Sequence, residues 1–111
     1  MQSTRLAKLL EFLDSDPNDP FILYALATEY NSLNDVEEAF SYYLKLVAVH
    51  PDYVGTYYHL GKLYEKNNNP EAAIEVYQKG MIAARTKHDM HAFSELQAAF
   101  NSASGLDYED D

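Results

Sequence analysis

At 111 residues, the chain has room for one domain with one modest hydrophobic core. Its composition, 47% hydrophobic and 14% aromatic, is too rich in core-forming residues for an intrinsically disordered chain. Eighteen acidic against eight basic residues give a net charge of −10, which repels phosphate backbones and anionic lipid headgroups. We therefore expect neither nucleic acid nor a membrane surface as a partner.

The chain has no cysteine, which excludes disulfides and thiolate metal sites and fits a reducing compartment. Its first residues lack the apolar stretch of a signal peptide, and no later run approaches the roughly 18 apolar residues that span a bilayer. These features predict a cytoplasmic protein.

The first predicted element is a helix over residues 3–14. Its apolar face consists of four leucines at helical spacing: Leu6, Leu9, Leu10 and Leu13. Pro17 follows this segment and indicates that the helix has ended.

Residues 20–53 predict a pair of helices. The two apolar faces are Leu23, Leu26, Ala27 and Tyr30, and then Ala39, Phe40, Tyr43, Leu46 and Val47. Asp19 is placed to cap the first helix ahead of Pro20. Asn34 and Glu37 have the spacing of a capping box, which makes Asn34 the predicted cap of the second helix.

Residues 54–87 repeat this pattern without a gap. Eight positions are identical 34 residues apart: Tyr24/Tyr58, Leu26/Leu60, Tyr30/Tyr64, Asn34/Asn68, Glu37/Glu71, Ala39/Ala73, Tyr43/Tyr77 and Lys45/Lys79. Ordinary residue usage would give roughly two or three. Asn69 is placed to cap the second helix of this unit ahead of Pro70. Because Pro17 lies 34 residues before Pro51, residues 3–14 are interpreted as a half-repeat.

Residues 88–104 predict a further helix that caps the last repeat. Its largely apolar face is Met90, Phe93, Leu96, Gln97 and Phe100, and Gly105 is placed to end it. Residues 105–111 carry four acidic residues without a helical period, so we expect an acidic tail. Residues 1–106 are thus predicted to form a single all-α domain of six helices.

These positions resemble the tetratricopeptide repeat family, whose first helix has a large residue, Leu, Gly or Ala, and Tyr, and whose second has Ala, an aromatic, Ala and Pro. The matching residues are Leu23, Leu26, Ala27, Tyr30, Ala39, Tyr43 and Pro51, and then Tyr57, Leu60, Gly61, Tyr64, Ala73 and Tyr77. Arg85 replaces the second proline, so we expect that helix to continue toward Lys87. The small position of the second helix is Leu46 in one repeat and Gly80 in the other. The resemblance implies a short right-handed superhelix.

The resemblance also implies a concave groove lined by the first helix of each repeat. The candidate protein-binding residues in that register are Phe21, Tyr24, Thr28, Asn31, Tyr58 and Lys62. Tyr24 and Tyr58 recur at equivalent positions, and tyrosine supplies a large contact area with a polar tip. The alternative is that these aromatics pack against the neighbouring helix.

Five other tyrosines fall on packing positions of the family and are predicted to be core: Tyr30, Tyr43, Tyr57, Tyr64 and Tyr77. His88 and His91 are three residues apart, but only Asp89 lies close enough in sequence to add a metal ligand, so we expect no metal. No nucleophile elbow, phosphate-binding loop or dinucleotide motif occurs. We therefore expect no cofactor and no enzymatic activity.

The sequence thus predicts a non-catalytic module that binds an extended or helical segment of another protein in its groove. The alternative is a self-associating subunit that forms a homo-oligomer, because two full repeats are fewer than the three or so that usually complete a continuous core.

Overall fold

The computed structural model describes residues 4–105, and within that range the chain forms α-helices and no β-strand. The helices are α1 (Thr4–Ser15), α2 (Pro20–Ser32), α3 (Val36–Val49), α4 (Gly55–Lys66), α5 (Pro70–Thr86) and α6 (Met90–Ser104). The predicted all-α fold of six helices is confirmed. The predicted acidic tail lies outside the described residues, except for Gly105. None of these helices is both long enough and apolar enough to cross a membrane.

The chain divides into two compact units, Met1–Pro51 and Asp52–Asp111. In the first unit, α2 packs against both α1 and α3. In the second unit, α5 packs against both α4 and α6, and α4 also contacts α6. The predicted extents of the domain and of its repeats stay predictions.

The core of the first unit joins α1 to α2. Leu6 and Leu9 are buried against Ala25 and Leu26. Partly buried residues surround this cluster: Leu10, Leu13, Ile22, Tyr30 and Tyr42. The leucine stripe predicted for the first helix therefore faces the core, as its spacing indicated.

The core of the second unit contains a tyrosine and a glycine in close contact. A Cβ atom built at Gly80 would lie 2.5 Å from the Cβ of Tyr57, so this position must be small for α4 and α5 to approach each other. At the equivalent positions of the first unit, Leu23 and Leu46 are both fully buried. The second repeat thus combines a larger side chain on one helix with no side chain on the next.

The N-terminal helix caps follow the predictions at two of three positions. The Asp19 carboxylate accepts hydrogen bonds from the backbone N–H groups of Phe21 (2.8 Å) and Ile22 (3.2 Å). The Asn69 side chain accepts one from Ala72 N–H at 3.3 Å. Pro20 and Pro70 begin their helices, as predicted.

The predicted cap at Asn34 is wrong by one residue. Asp35 caps α3 and accepts a hydrogen bond from Glu38 N–H at 3.3 Å, whereas Asn34 adopts a left-handed conformation with φ 63°. The turn after α2 uses this left-handed residue to reverse the chain, so the capping side chain comes one position later. Asn68 precedes the Asn69 cap in the same way, with φ 64°.

The five tyrosines predicted to be core divide into two groups. Tyr43, Tyr57 and Tyr77 are buried. Tyr30 and Tyr64 are only half-buried, so their assignment to the core is corrected. Both lie in the last turn of their helices, and Tyr30 packs at the margin of the first core, where its ring stacks on Tyr42 with centroids 5.7 Å apart.

Candidate protein-binding surface

In the first unit, the predicted residues lie along one face of α2. Phe21, Tyr24, Thr28 and Asn31 follow each other at intervals of three or four residues, which places them on the same side of a helix. Phe21 is 69% exposed, and the other three are half-buried. Because the Asp19 carboxylate holds the first turn, the Phe21 ring projects from a fixed backbone.

The polar groups on this face are partly used within the helix. The Thr28 hydroxyl donates a hydrogen bond to the Ala25 carbonyl at 3.0 Å, which leaves its oxygen as an acceptor. The Oδ1 atom of Asn31 is buried and has no hydrogen-bond partner among residues 4–105. What the face offers to a partner is therefore mainly aromatic surface.

Tyr24 lies next to a buried tyrosine of α3. Burial, and secondarily the neighbouring Tyr24, raise the pKa of the Tyr43 hydroxyl above its usual value. Tyr24 thus packs partly against its own unit and remains partly exposed to solvent. Both the packing role and the binding role proposed for it are compatible with this position.

In the second unit, Tyr58 and Lys62 lie on adjacent turns of α4. The Lys62 ammonium lies 5.4 Å from the centroid of the Tyr58 ring, close enough for a cation–π interaction. The same ammonium is 3.9 Å from the Glu65 carboxylate. The Tyr77 hydroxyl of α5 in turn donates a hydrogen bond to Glu65, so a core residue fixes this surface carboxylate.

Tyr58 and Lys62 line a depression together with residues of α6 that were missed at the level of sequence. The depression has a volume of about 270 Å³, and α6 contributes Glu95, Ala98, Ala99 and Ser102. Alignment of the two repeats relates α2 to α4. It does not include α6, because α6 lies after the second repeat. The sequence signal for its role was limited to three small residues at positions 98, 99 and 102.

His59 lies beside this depression. Its ring meets the Tyr58 ring edge-on, with centroids 5.7 Å apart. Burial lowers the pKa of His59, and the nearby Glu95 carboxylate only partly offsets this effect.

A second, more apolar depression lies between α5 and α6. Its volume is about 580 Å³, and its lining includes Met81, Ile82 and Phe93. The Arg85 guanidinium lies 4.9 Å from the centroid of the Phe93 ring. This is a further surface that the repeat pattern did not predict.

His88 and His91, the two histidines considered as metal ligands, do not belong to a group of possible metal ligands within residues 4–105. His88 is in the turn before α6, with φ 59°, while His91 Nε2 lies 3.4 Å from Glu95 Oε2 on its own helix. Among residues 4–105, no three His, Asp or Glu side chains are grouped so that they could hold a metal ion.

Comparisons with known proteins agree with the repeat pattern. Two tetratricopeptide repeat models match the chain, over residues 22–53 and 42–75. The solution structure of a tetratricopeptide repeat domain protein from Salinibacter ruber is 44% identical, covers 86% of this chain and 97% of that chain, and has a TM-score of 0.78. The crystal structure of the tetratricopeptide repeat domain protein from the same organism is 45% identical, covers 80% and 99%, and has a TM-score of 0.75.

More distant structures share the fold. A protein from Bordetella parapertussis is 20% identical, covers 96% of this chain and 92% of that chain, and has a TM-score of 0.78. A comparison with curated proteins finds no match. The chain belongs to the tetratricopeptide repeat family. Proteins of this family are in general non-catalytic modules that mediate protein–protein interactions.

Proposed function

We propose that the chain is a non-catalytic interaction module that binds a segment of another protein through the α2 face and the α4 face. The observation that carries this proposal is the recurrence of a partly exposed tyrosine at the same position of both repeats. Tyr24 is followed one turn later by Thr28, and Tyr58 by Lys62. Each repeat thus presents an aromatic ring next to a polar group.

The physical case depends on what aromatic side chains contribute to binding. A tyrosine or phenylalanine buries a large area and loses few rotamers when it is covered by a partner. Phe21, at 69% exposed, leaves most of its ring in water, so covering it would be favourable. We therefore expect these residues to contribute most of the binding energy on the two faces.

Self-association is the second candidate function, and exposed apolar residues outside the two faces favour it. Ile82 on α5 is 69% exposed, and Met90 on α6 is 58% exposed. A second copy could cover them. Sedimentation across a range of protein concentrations separates this function from the first, because it predicts a concentration-dependent mass and binding to a different protein does not.

Site-specific cross-linking tests the main proposal before any partner is known. A photoreactive phenylalanine analogue replaces Tyr24 or Tyr58, and a matched control carries it at the exposed position of Glu37 on α3. We expect cross-links to the same protein from both tyrosine positions and none from the control.

Once that partner is purified, titration calorimetry compares the wild type with the Tyr24→Ala/Tyr58→Ala variant. The double variant should bind more weakly by at least about 2 kcal/mol, as expected for truncated hot-spot aromatics. Circular dichroism checks that it remains folded. Unchanged affinity would place the binding surface elsewhere and overturn the proposal.

A further inference from the structure

The depression between α4 and α6 combines small and aromatic surfaces with charges. Ala98, Ala99 and Ser102 have short side chains, which leave the space of about 270 Å³ beside the Tyr58 ring. This is the scale of one long side chain rather than of a drug-sized ligand, which needs about 300 to 1,000 Å³. The depression is therefore suited to a single anchoring residue.

The cation in this depression is already compensated. The Lys62 ammonium interacts with both the Tyr58 ring and the Glu65 carboxylate. The Tyr77 hydroxyl holds that carboxylate from α5. Lys62 thus contributes little net positive charge to a ligand that enters.

The Glu95 carboxylate is not compensated in this way. Among residues 4–105 it pairs with no lysine or arginine, and its ion-pair partner is the largely exposed His91, which is charged only when protonated. Burial lowers the pKa of the nearby His59, which disfavours its charged form. The lining of the depression thus carries one ammonium group, Lys62, which the neighbouring Glu65 already pairs, and one carboxylate, Glu95, which no lysine or arginine of residues 4–105 pairs.

We propose that this depression receives an arginine side chain of the bound protein segment, with its guanidinium on Glu95. A guanidinium matches a carboxylate through two parallel hydrogen bonds, and its aliphatic stem can lie along alanine and tyrosine surfaces. The net charge of −10 attracts a basic segment over a longer range. This inference rests on the proposed function and adds the chemistry of the partner.

Other side chains fit the depression less well. A carboxylate would be repelled by Glu95, and an apolar side chain would take water away from Glu95 without replacing it. A lysine would pair with Glu95 as a point charge, without the planar two-bond geometry of a guanidinium. Each of these is a distinct outcome of the test.

The test uses the full chain labelled with nitrogen-15 and four small probes, followed by NMR. The probes are the Nα-acetyl methylamides of arginine, lysine, leucine and glutamate. We expect arginine alone to cause saturable shifts that centre on Tyr58, Ala98, Ala99 and Ser102. Glu95→Gln should weaken this binding at least tenfold, whereas Glu75→Gln, an exposed carboxylate on α5 with the same change in net charge, should leave it unchanged.

Several results would overturn the inference: no shifts at the depression with arginine, shifts of equal size with any other probe, or equal effects of Glu95→Gln and Glu75→Gln. Circular dichroism checks that both variants fold. The proposed function can fail separately. If Tyr24→Ala/Tyr58→Ala weakens partner binding but arginine does not occupy the depression, only this inference falls. If arginine binds but the tyrosine variant keeps its affinity for the partner, only the proposed function falls.

Discussion

The ring of Tyr77 on α5 lies directly against the backbone of Gly61 on α4. A Cβ atom built at Gly61 would be 2.1 Å from Cε1 of Tyr77, well inside van der Waals contact. The Tyr77 side chain is fully buried, and its hydroxyl is bonded to Glu65 one turn further along α4. Because the ring is held at its tip, it cannot swing away from an added methyl group without losing that hydrogen bond.

We therefore predict that Gly61→Ala destabilises the protein by about 1 to 3 kcal/mol, the range for an overpacked core. The result is diagnostic because alanine is otherwise the better helix former, by up to about 1 kcal/mol. Urea unfolding measures the change in the free energy of unfolding. Gly55→Ala is the matched control. Apart from its two chain neighbours and the nearby backbone of its own helix, no described residue lies within 4 Å of a Cβ atom built at Gly55. A Gly61 variant as stable as the Gly55 variant would contradict the close contact.

Tyr77→Phe removes the hydroxyl and leaves the Glu65 carboxylate without this donor. We expect a loss of about 1.5 to 3 kcal/mol at neutral pH, as for hydrogen bonds to charged groups. Thermal unfolding followed by circular dichroism gives the difference. Tyr43→Phe serves as a comparison, because Tyr43 is equally buried and lies on α3, in the other unit from Glu65. An unchanged melting temperature for Tyr77→Phe would show that the hydrogen bond adds nothing.

The titration of Tyr77 should also make the stability of the protein depend on pH. Burial, and then the Glu65 carboxylate, raise the pKa of Tyr77 above its ordinary value of 10.0. The folded state therefore keeps its phenolic proton to higher pH than the unfolded state does. This contribution to stability is complete below pH 10 and declines as the pH rises above it. In Tyr77→Phe the decline above pH 10 should be shallower than in the wild type, and an identical slope would remove Tyr77 as its cause.

Much of the fold could be predicted from the sequence because helix faces and caps are local features. The leucines of α1 recur at the helical period, and Asp19 before Pro20 has a short-range capping geometry. The cap of α3 was misplaced because Asn34 and Asp35 are both good caps by residue type. The left-handed φ of Asn34 decides between them, and it arises from the turn that joins two packed helices.

The sequence could predict the candidate surfaces only at positions that belong to the two repeats. Alignment of the two repeats identifies Tyr24 and Tyr58 from the sequence alone. Glu95 lies beside Tyr58 because α6 packs against α4, and that is a tertiary contact between helices far apart in sequence. The half-burial of Tyr30 has the same origin, since helical period alone does not show where the neighbouring helix ends.

Tyr43 and Tyr30 should differ in their contribution to stability although both lie on predicted core positions. Tyr43 is 1% exposed, so Tyr43→Ala should cost about 3 to 5 kcal/mol, as for emptied large-aromatic sites. Tyr30 is half-buried at the margin of the core, and Tyr30→Ala should cost clearly less. Urea titrations of both variants under the same conditions provide the comparison. Equal losses would show that the stack of Tyr30 on Tyr42 matters as much as full burial.

Asp35 and Asn34 should respond in opposite ways to substitution. The Asp35 carboxylate accepts the Glu38 N–H, so Asp35→Ala should cost about 1 kcal/mol, the usual value for a lost N-cap. Asn34 has φ 63°, a conformation that glycine adopts without steric cost, so Asn34→Gly should leave the stability unchanged or raise it slightly. Asp89, which caps α6 after the left-handed His88, offers a second test in the other unit. Melting temperatures of Asp35→Ala, Asp89→Ala and Asn34→Gly measure these effects. If Asn34→Gly lost stability while Asp35→Ala did not, the cap would belong to Asn34 after all, and the turn before α3 would have to begin one residue earlier.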